Sequence, residues 1–146
     1  MSTRSRIGIV NADKTITSIY CHNDGYLSHN GRILMNHYKT AQKVRRLMLL
    51  GDLSALGETL GKKCNANDYQ NRPKGQCIAY KRDRSEIDVD ALDSQAINEL
   101  ESYVTDSDQE YVYLFNDNKW TYSENESDTP IWHDLILAVI TERLTS

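Results

Sequence analysis

Two short runs rich in β-branched and apolar residues, Ser5 to Val10 and Thr15 to Tyr20, flank the polar tetrapeptide Asn11-Ala12-Asp13-Lys14. The pattern predicts an antiparallel hairpin with a polar loop. The next stretch, Cys21 to Gly31, holds two turn signals, Asp24-Gly25 and Asn30-Gly31, and reads as a loop dense in hydrogen-bonding groups. A short helix is expected from Gly31 or Arg32 to Tyr38. A second runs from Ala41 to Leu50, capped by Thr40 and stopped by Gly51, with Val44, Leu47 and Met48 as its apolar stripe and Leu50 at the margin.

Asp52 to Gly57 reads as a turn or half-helix held to the core by its leucines. Glu58 to Gly75 reads as a long connection of glycines, lysines and asparagines. Gln76 to Lys81 has strand composition, Ile87 and Val89 alternate like a short edge strand, and Ser94 to Tyr103 fits a helix with Ala96, Ile97 and Leu100 inward. Tyr111 to Phe115, a turn at Asn116-Asp117-Asn118 and a partner strand with Trp120 and Tyr122 predict a second hairpin. Thr129 and Pro130 then open a last helix from Ile131 to Leu144 whose broad apolar surface includes Leu135 and Val139. Its width suits burial against a sheet, or a twofold homodimer contact. Together these elements predict an α+β fold: an antiparallel or mixed sheet built from two hairpins, with helices packed mainly on one face. We expect one compact domain over residues 1–146, with mobile segments at 58–75 and 123–129.

Composition changes this picture little, and charge changes it more. With 146 residues, 39% of them hydrophobic and 26% charged, the chain can bury a core without disulfides or a structural metal. Three cysteines and the lack of a leader-like or membrane-spanning apolar run lead to an expectation of reduced thiols in a cytoplasm, with no membrane partner. The net charge of −4 hides a division: Met1 to Arg84 carries 15 Lys and Arg against 6 Asp and Glu, and Ser85 to Ser146 carries 2 against 15. Halves of opposite sign attract and screen each other. A basic face left uncovered would instead take an anionic ligand, with nucleic acid the weaker candidate because the excess does not extend over the whole domain.

Candidate chemistry lies in two segments. His22, Asp24, His29 and His37, with Cys21 beside them, could supply metal ligands, yet the spacing matches no His-Glu-x-x-His or Cys-x-x-Cys pattern, and no metal is expected. Cysteine catalysis at Cys21 would need His22 or His29 as base, and consecutive strand residues point to opposite faces. Arg82 and Arg84, if extended, would share one face and could hold a phosphate between two guanidinium forks; the competing reading pairs them with Asp83, Glu86, Asp88 and Asp90. There is no phosphate-binding Gly-rich loop and no dinucleotide fingerprint, so no cofactor is expected. Nine tyrosines and two tryptophans against one phenylalanine form a polar-tipped aromatic set, and Tyr20, Tyr26, Tyr38 and Tyr80 flank the basic loops.

The segments Met-Ser-Thr-Arg-Ser-Arg-Ile-Gly-Ile, Ser18 to Tyr26, the Asn30-Gly31 turn, His37-Tyr38, Leu50 to Ser54, Tyr80 to Glu86 and Tyr111 to Phe115 with Trp120 resemble a family of small proteins of tailed bacteriophages and some bacterial genomes. The likeness covers most of the chain. It departs from the family at Asn23, Leu27 and Ser85, where members often carry Trp, Pro and Gly, which alters a stacking surface and the loop after Asp24. The resemblance implies a phage accessory protein in the host cytoplasm that binds a host protein or sequesters an anionic small molecule. The expected ligand-binding residues are His22, Asp24, Tyr26, His29, Arg82 and Arg84, with the loop from His22 and the segment from Arg82 meeting at one polar pocket. The alternative is a nucleotide-processing enzyme using His22, Asp24, His29 and Arg82.

Overall fold

The computed structural model describes residues 3–65, 74–96, 103–104, 109–125 and 131–135. Strands β1 (Ser5–Val10) and β2 (Thr15–Cys21) pair antiparallel, as their pattern predicts. The loop between them is closed by Asn11, whose amide donates to the hydroxyls of Thr15 (3.1 Å) and Thr17 (2.9 Å), and by Asp13, which accepts from the Thr15 hydroxyl at 2.6 Å. β6 (Tyr111–Asn116) and β7 (Lys119–Glu124) form the second hairpin around Asp117 and Asn118, both at positive φ, the backbone that a tight turn between twisted strands requires.

The sheet is larger than two hairpins. It has eight strands in the order β4-β3-β2-β1-β6-β7-β8, with β5 also on β2. The additional strands are β3 (Leu53–Ala55), β4 (Ile78–Ala79), β5 (Leu92–Ala96) and β8 (His133–Asp134). β1 runs parallel to β6, and β2 runs parallel to β3, so the sheet is mixed and the fold is α+β.

Alternation along the central strands separates two interiors. Ile7, Ile9, Ile19, Cys21, Tyr113 and Phe115 point to the face covered by α1 (Arg32–His37) and α2 (Ala41–Leu49). Ile16, Val112 and Leu114 point the other way, against Tyr103 and Val104. α2 follows its predicted bounds closely: the Thr40 hydroxyl accepts from the Lys43 N–H at 3.3 Å, Val44, Leu47 and Met48 are buried, and Gly51 ends the helix at φ +74°. Burying each of those apolar side chains contributes about 1.5–3 kcal/mol.

Five expectations are corrected. Asp52 to Gly57 is no turn or half-helix: Leu53 pairs with Cys21, and β3 extends the sheet. The strand expected from Gln76 to Lys81 shortens to β4, because the Asp83 carboxylate accepts from the Ala79 N–H at 2.8 Å and winds the chain into α3 (Tyr80–Arg84). The Ile87–Val89 segment is bends, with Asp88 at φ +59°, and forms no strand. Ser94 to Ala96, expected as helix, belongs to β5, and residues 97–102 of that helix lie outside the described residues. The last helix does not begin at Ile131, since His133 and Asp134 pair with Tyr122 and Thr121 on the edge of β7; Val139 and the remainder, 136–144, lie outside the described residues. Short runs satisfy either period, and for β3, β5 and β8 an open strand edge nearby decided the outcome.

Part of the long connection is held in place. Thr59 bridges Gln76, and a Cβ on Gly57 would overlap the Gln76 backbone, so only glycine admits this approach. Residues 66–73 lie outside the described residues, as do 126–129, whereas Ser123 and Glu124 complete β7.

Leu135 is fully buried in the main core, while Ile131 is 64% exposed. Leu135→Ala should therefore lower stability by about 2–5 kcal/mol, and Ile131→Ala by less than about 0.5 kcal/mol. Denaturant midpoints of the two variants check the contrast.

Candidate functional site

Beyond Tyr20, β2 is held by its neighbour. The Tyr20 N–H donates to Asp52 Oδ1 (2.9 Å), the His22 N–H to the Leu53 carbonyl (3.0 Å) and the Asn23 N–H to the Ser54 carbonyl (3.1 Å). The chain then turns through Asp24 at φ +57° into a π-helical turn, Leu27–Gly31. Buried Asn30 anchors this turn. Its Nδ2 donates to Ser5 Oγ at 3.1 Å and lies 3.4 Å from both Cys21 Sγ and the Asn23 carbonyl. With Nδ2 so placed, Oδ1 faces His29 Nδ1 at 2.9 Å, so Nδ1 is the donor of that bond. The Tyr113 hydroxyl, donating to the Gly25 carbonyl at 2.6 Å, ties the loop to β6.

Cys21 lies under this loop, and burial pushes its thiol up to about 12. It is a thiol at neutral pH and packs as a small apolar group, which leaves His22 and His29 no thiolate to activate. Burial likewise pushes the Cys77 thiol up. None of Cys21, Cys64 and Cys77 forms a disulfide.

Arg82 and Arg84 do not share one extended face, because they sit on α3. Arg82 is spent inside the chain. Its Nε and Nη2 donate to the two Asp83 oxygens (3.0 and 3.1 Å), Nη1 to the Leu60 carbonyl (2.8 Å) and Nη2 also to the Cys77 carbonyl (2.8 Å). Asp83 further accepts from the Cys64 N–H at 3.0 Å. Burial works to raise the Asp83 carboxyl, but the hydrogen bonds from Arg82, Ala79 and Cys64 outweigh it and hold the group below the usual carboxylate range. Arg84 is the opposite case. Its guanidinium lies 5.4 Å from the centre of the Tyr80 ring, its Nε is buried, and it has no hydrogen-bond or ion-pair partner among the described residues.

The six expected ligand-binding residues therefore divide. Cys21 pairs with Leu53, and Leu53 with Ala79, which puts the start of the His22 loop about 10 Å, two strand spacings, from the start of α3. His22 Nδ1 is 2.7 Å from the Tyr20 hydroxyl. Burial pushes the Tyr20 hydroxyl up, and Tyr80 close by adds to the shift; burial also raises Tyr80, against the opposing pull of the Ser54 hydroxyl and the Arg84 charge. His22, Tyr20, Tyr80 and Arg84 thus form one surface. Asp24, Tyr26 and His29 form another: the Tyr26 hydroxyl reaches Asp24 at 3.3 Å, and its ring meets His29 edge-on at 6.1 Å. Arg82 joins neither.

Sequence reasoning missed Arg6. It pairs with Tyr20 across β1 and β2, its Nε donates to Ser18 Oγ at 2.9 Å, and its Nη2 is buried with no hydrogen-bond partner among the described residues. An arginine alternating with Ile7 and Ile9 in a strand was the available signal. Asp83 belongs to the competing reading that pairs the arginines with nearby carboxylates, and for Arg82 that pairing is what forms; Asn30 gave no comparable signal, because its role depends on Ser5 and Cys21, remote in the chain.

Among the described residues, no group of three His, Cys, Asp or Glu could hold a metal ion, and no helix is long and apolar enough to cross a membrane. Comparisons with protein-family models, curated proteins and solved structures find no match for this chain.

Arg82→Ala should strand the Asp83 carboxylate, which has no solvent exposure, and cost about 3 kcal/mol at neutral pH. The Asp83 pKa is lower folded than unfolded, so its contribution is fully present above about pH 4 and is lost as the pH falls through the folded value. Chemical denaturation from pH 7 down to pH 2 should show the parent losing stability below about pH 4 and the Arg82→Ala variant losing less over the same interval.

Proposed function

We propose that this protein is a binding module of the phage accessory kind, acting inside the host cell, and that it docks an acidic segment of a host protein on the surface of Tyr20, His22, Tyr80 and Arg84. The observation that carries this reading is Arg84, placed over the Tyr80 ring with no acceptor among the described residues, two positions from an arginine whose donors are engaged within the chain. The cation–π contact restrains the guanidinium before a partner arrives, so less side-chain entropy is lost when its N–H groups meet a carboxylate. Tyrosine and arginine beside exposed apolar groups are also the usual composition of interface centres. Ile87, 81% exposed, follows α3, and Leu92, 55% exposed, pairs with Ser18 on the strand that carries Tyr20. Arg6 adds positive charge behind Tyr20. The nucleotide-processing alternative asks Arg82 to hold an anion, and the engagement of Arg82 with Asp83 and two carbonyls leaves that reading without its anion holder.

The test is quantitative capture from an extract of phage-infected cells by the parent, Arg84→Glu and Tyr20→Ala proteins. A specific partner should be recovered about tenfold less with Arg84→Glu and should elute as ionic strength rises, with denaturant midpoints unchanged. Equal recovery by parent and Arg84→Glu would remove the basis of the proposal.

A further inference from the structure

A cleft of ≈ 220 Å³ that shares no lining residue with the docking surface opens beside α2, lined by His37 and Tyr38 at the end of α1, by Lys43 and Arg46 on α2, and by the chain at 58–60. This is room for about seven waters, too small for a dinucleotide and suited to one compact ligand. Its walls are fixed. The Tyr38 hydroxyl donates to the Gly57 carbonyl at 2.8 Å, and the Trp120 indole N–H donates to the Tyr38 carbonyl at 2.8 Å. Opposite, the Thr59 N–H donates to the Gly75 carbonyl (3.1 Å), the Cys77 N–H to the Thr59 carbonyl (2.9 Å), and Arg82 holds the Leu60 carbonyl.

The charge in this frame is unbalanced. Lys43 and Arg46 stand one turn apart on α2, so both stems rise on the same side of the helix. Both are exposed, and neither side chain has a hydrogen-bond or ion-pair partner among the described residues. Among the described residues the one carboxylate in the lining, Glu58, is 4.0 Å from His37 Nε2. The Thr59 hydroxyl is turned to the Gly75 carbonyl at 3.5 Å, and Tyr38 and Leu60 add apolar surface.

We infer that this cleft is a subsite for a phosphate-type dianion carried by a small ligand, with Lys43 and Arg46 as donors and the Tyr38 and Leu60 surfaces receiving the adjoining apolar part. Ammonium and guanidinium groups together give charge-assisted bonds to several phosphate oxygens at once. Glu58 works against the anion and sets the affinity: removing its charge strengthens binding, a direction that a purely structural role for Glu58 would not produce.

Titration of the labelled protein with inorganic phosphate, phenyl phosphate and a single-stranded oligonucleotide lacking terminal phosphates, followed by amide chemical shifts, tests this. Phenyl phosphate should perturb the Lys43, Arg46 and Thr59 amides saturably and more tightly than inorganic phosphate. Arg46→Gln should weaken it about tenfold or more, Glu58→Gln should tighten it, and Arg84→Glu should leave it unchanged, which separates this site from the docking surface. Equal affinity in Arg46→Gln and parent, weaker binding in Glu58→Gln, or displacement of phenyl phosphate by the oligonucleotide would each overturn the inference, the last in favour of a nucleic-acid strand.

Discussion

The carboxylate of Asp83 has no contact with solvent, and a charge in that position must be neutralised where it lies. Four donors do this: Arg82 through two nitrogens, and the N–H groups of Ala79 and Cys64. Each tie has a structural effect elsewhere. The bond to Ala79 ends β4 and starts α3; the bond to Cys64 draws in the connection after β3; and the free donors of Arg82 reach the Leu60 and Cys77 carbonyls. An ion pair of this kind adds little net stability compared with apolar packing, but breaking it by removing one partner costs about 3–5 kcal/mol. Its value here lies in placement.

Both candidate sites inherit their geometry from it. With Arg82 drawn inward, the short helix that carries it sets Arg84 over Tyr80. Holding Leu60 fixes one wall of the cleft that faces Lys43 and Arg46. One arginine thus supports two surfaces without belonging to either. A guanidinium can do this because its planar fork presents five donors in fixed directions, whereas a lysine ammonium would neutralise the charge without spanning to both carbonyls.

The division of charge between the halves of the chain is only partly resolved by pairing within the molecule. Arg4 meets Glu110 at 3.6 Å and Lys81 meets Asp90 at 2.9 Å. On α2, Lys43, Arg45 and Arg46 remain exposed, and Arg45 donates to the neutral Asn11 side chain at 2.8 Å. The basic excess therefore stands uncovered by acidic side chains of the described residues along that helix. Long-range attraction between the halves helps bring them together, but it does not specify which side chains meet.

The sequence by itself determined the elements whose signals are local. The two hairpins, the capped and glycine-stopped α2, and the stripe of Val44, Leu47 and Met48 follow from alternation, turn chemistry and backbone preference within a few residues. It also identified the two chemically rich segments and brought His22 and Arg84 into consideration. Tertiary structure decided what depends on partners far away in the chain. β3, β5 and β8 are strands because the open edges of β2 and β7 lie beside them, and their own short sequences carry no decisive period. Arg82 and Arg84 are the same residue type two positions apart, and nothing local distinguishes them. A buried carboxylate and two remote carbonyls take one, and a tyrosine face holds the other, because a polar group's role is set by the acceptors that folding places around it.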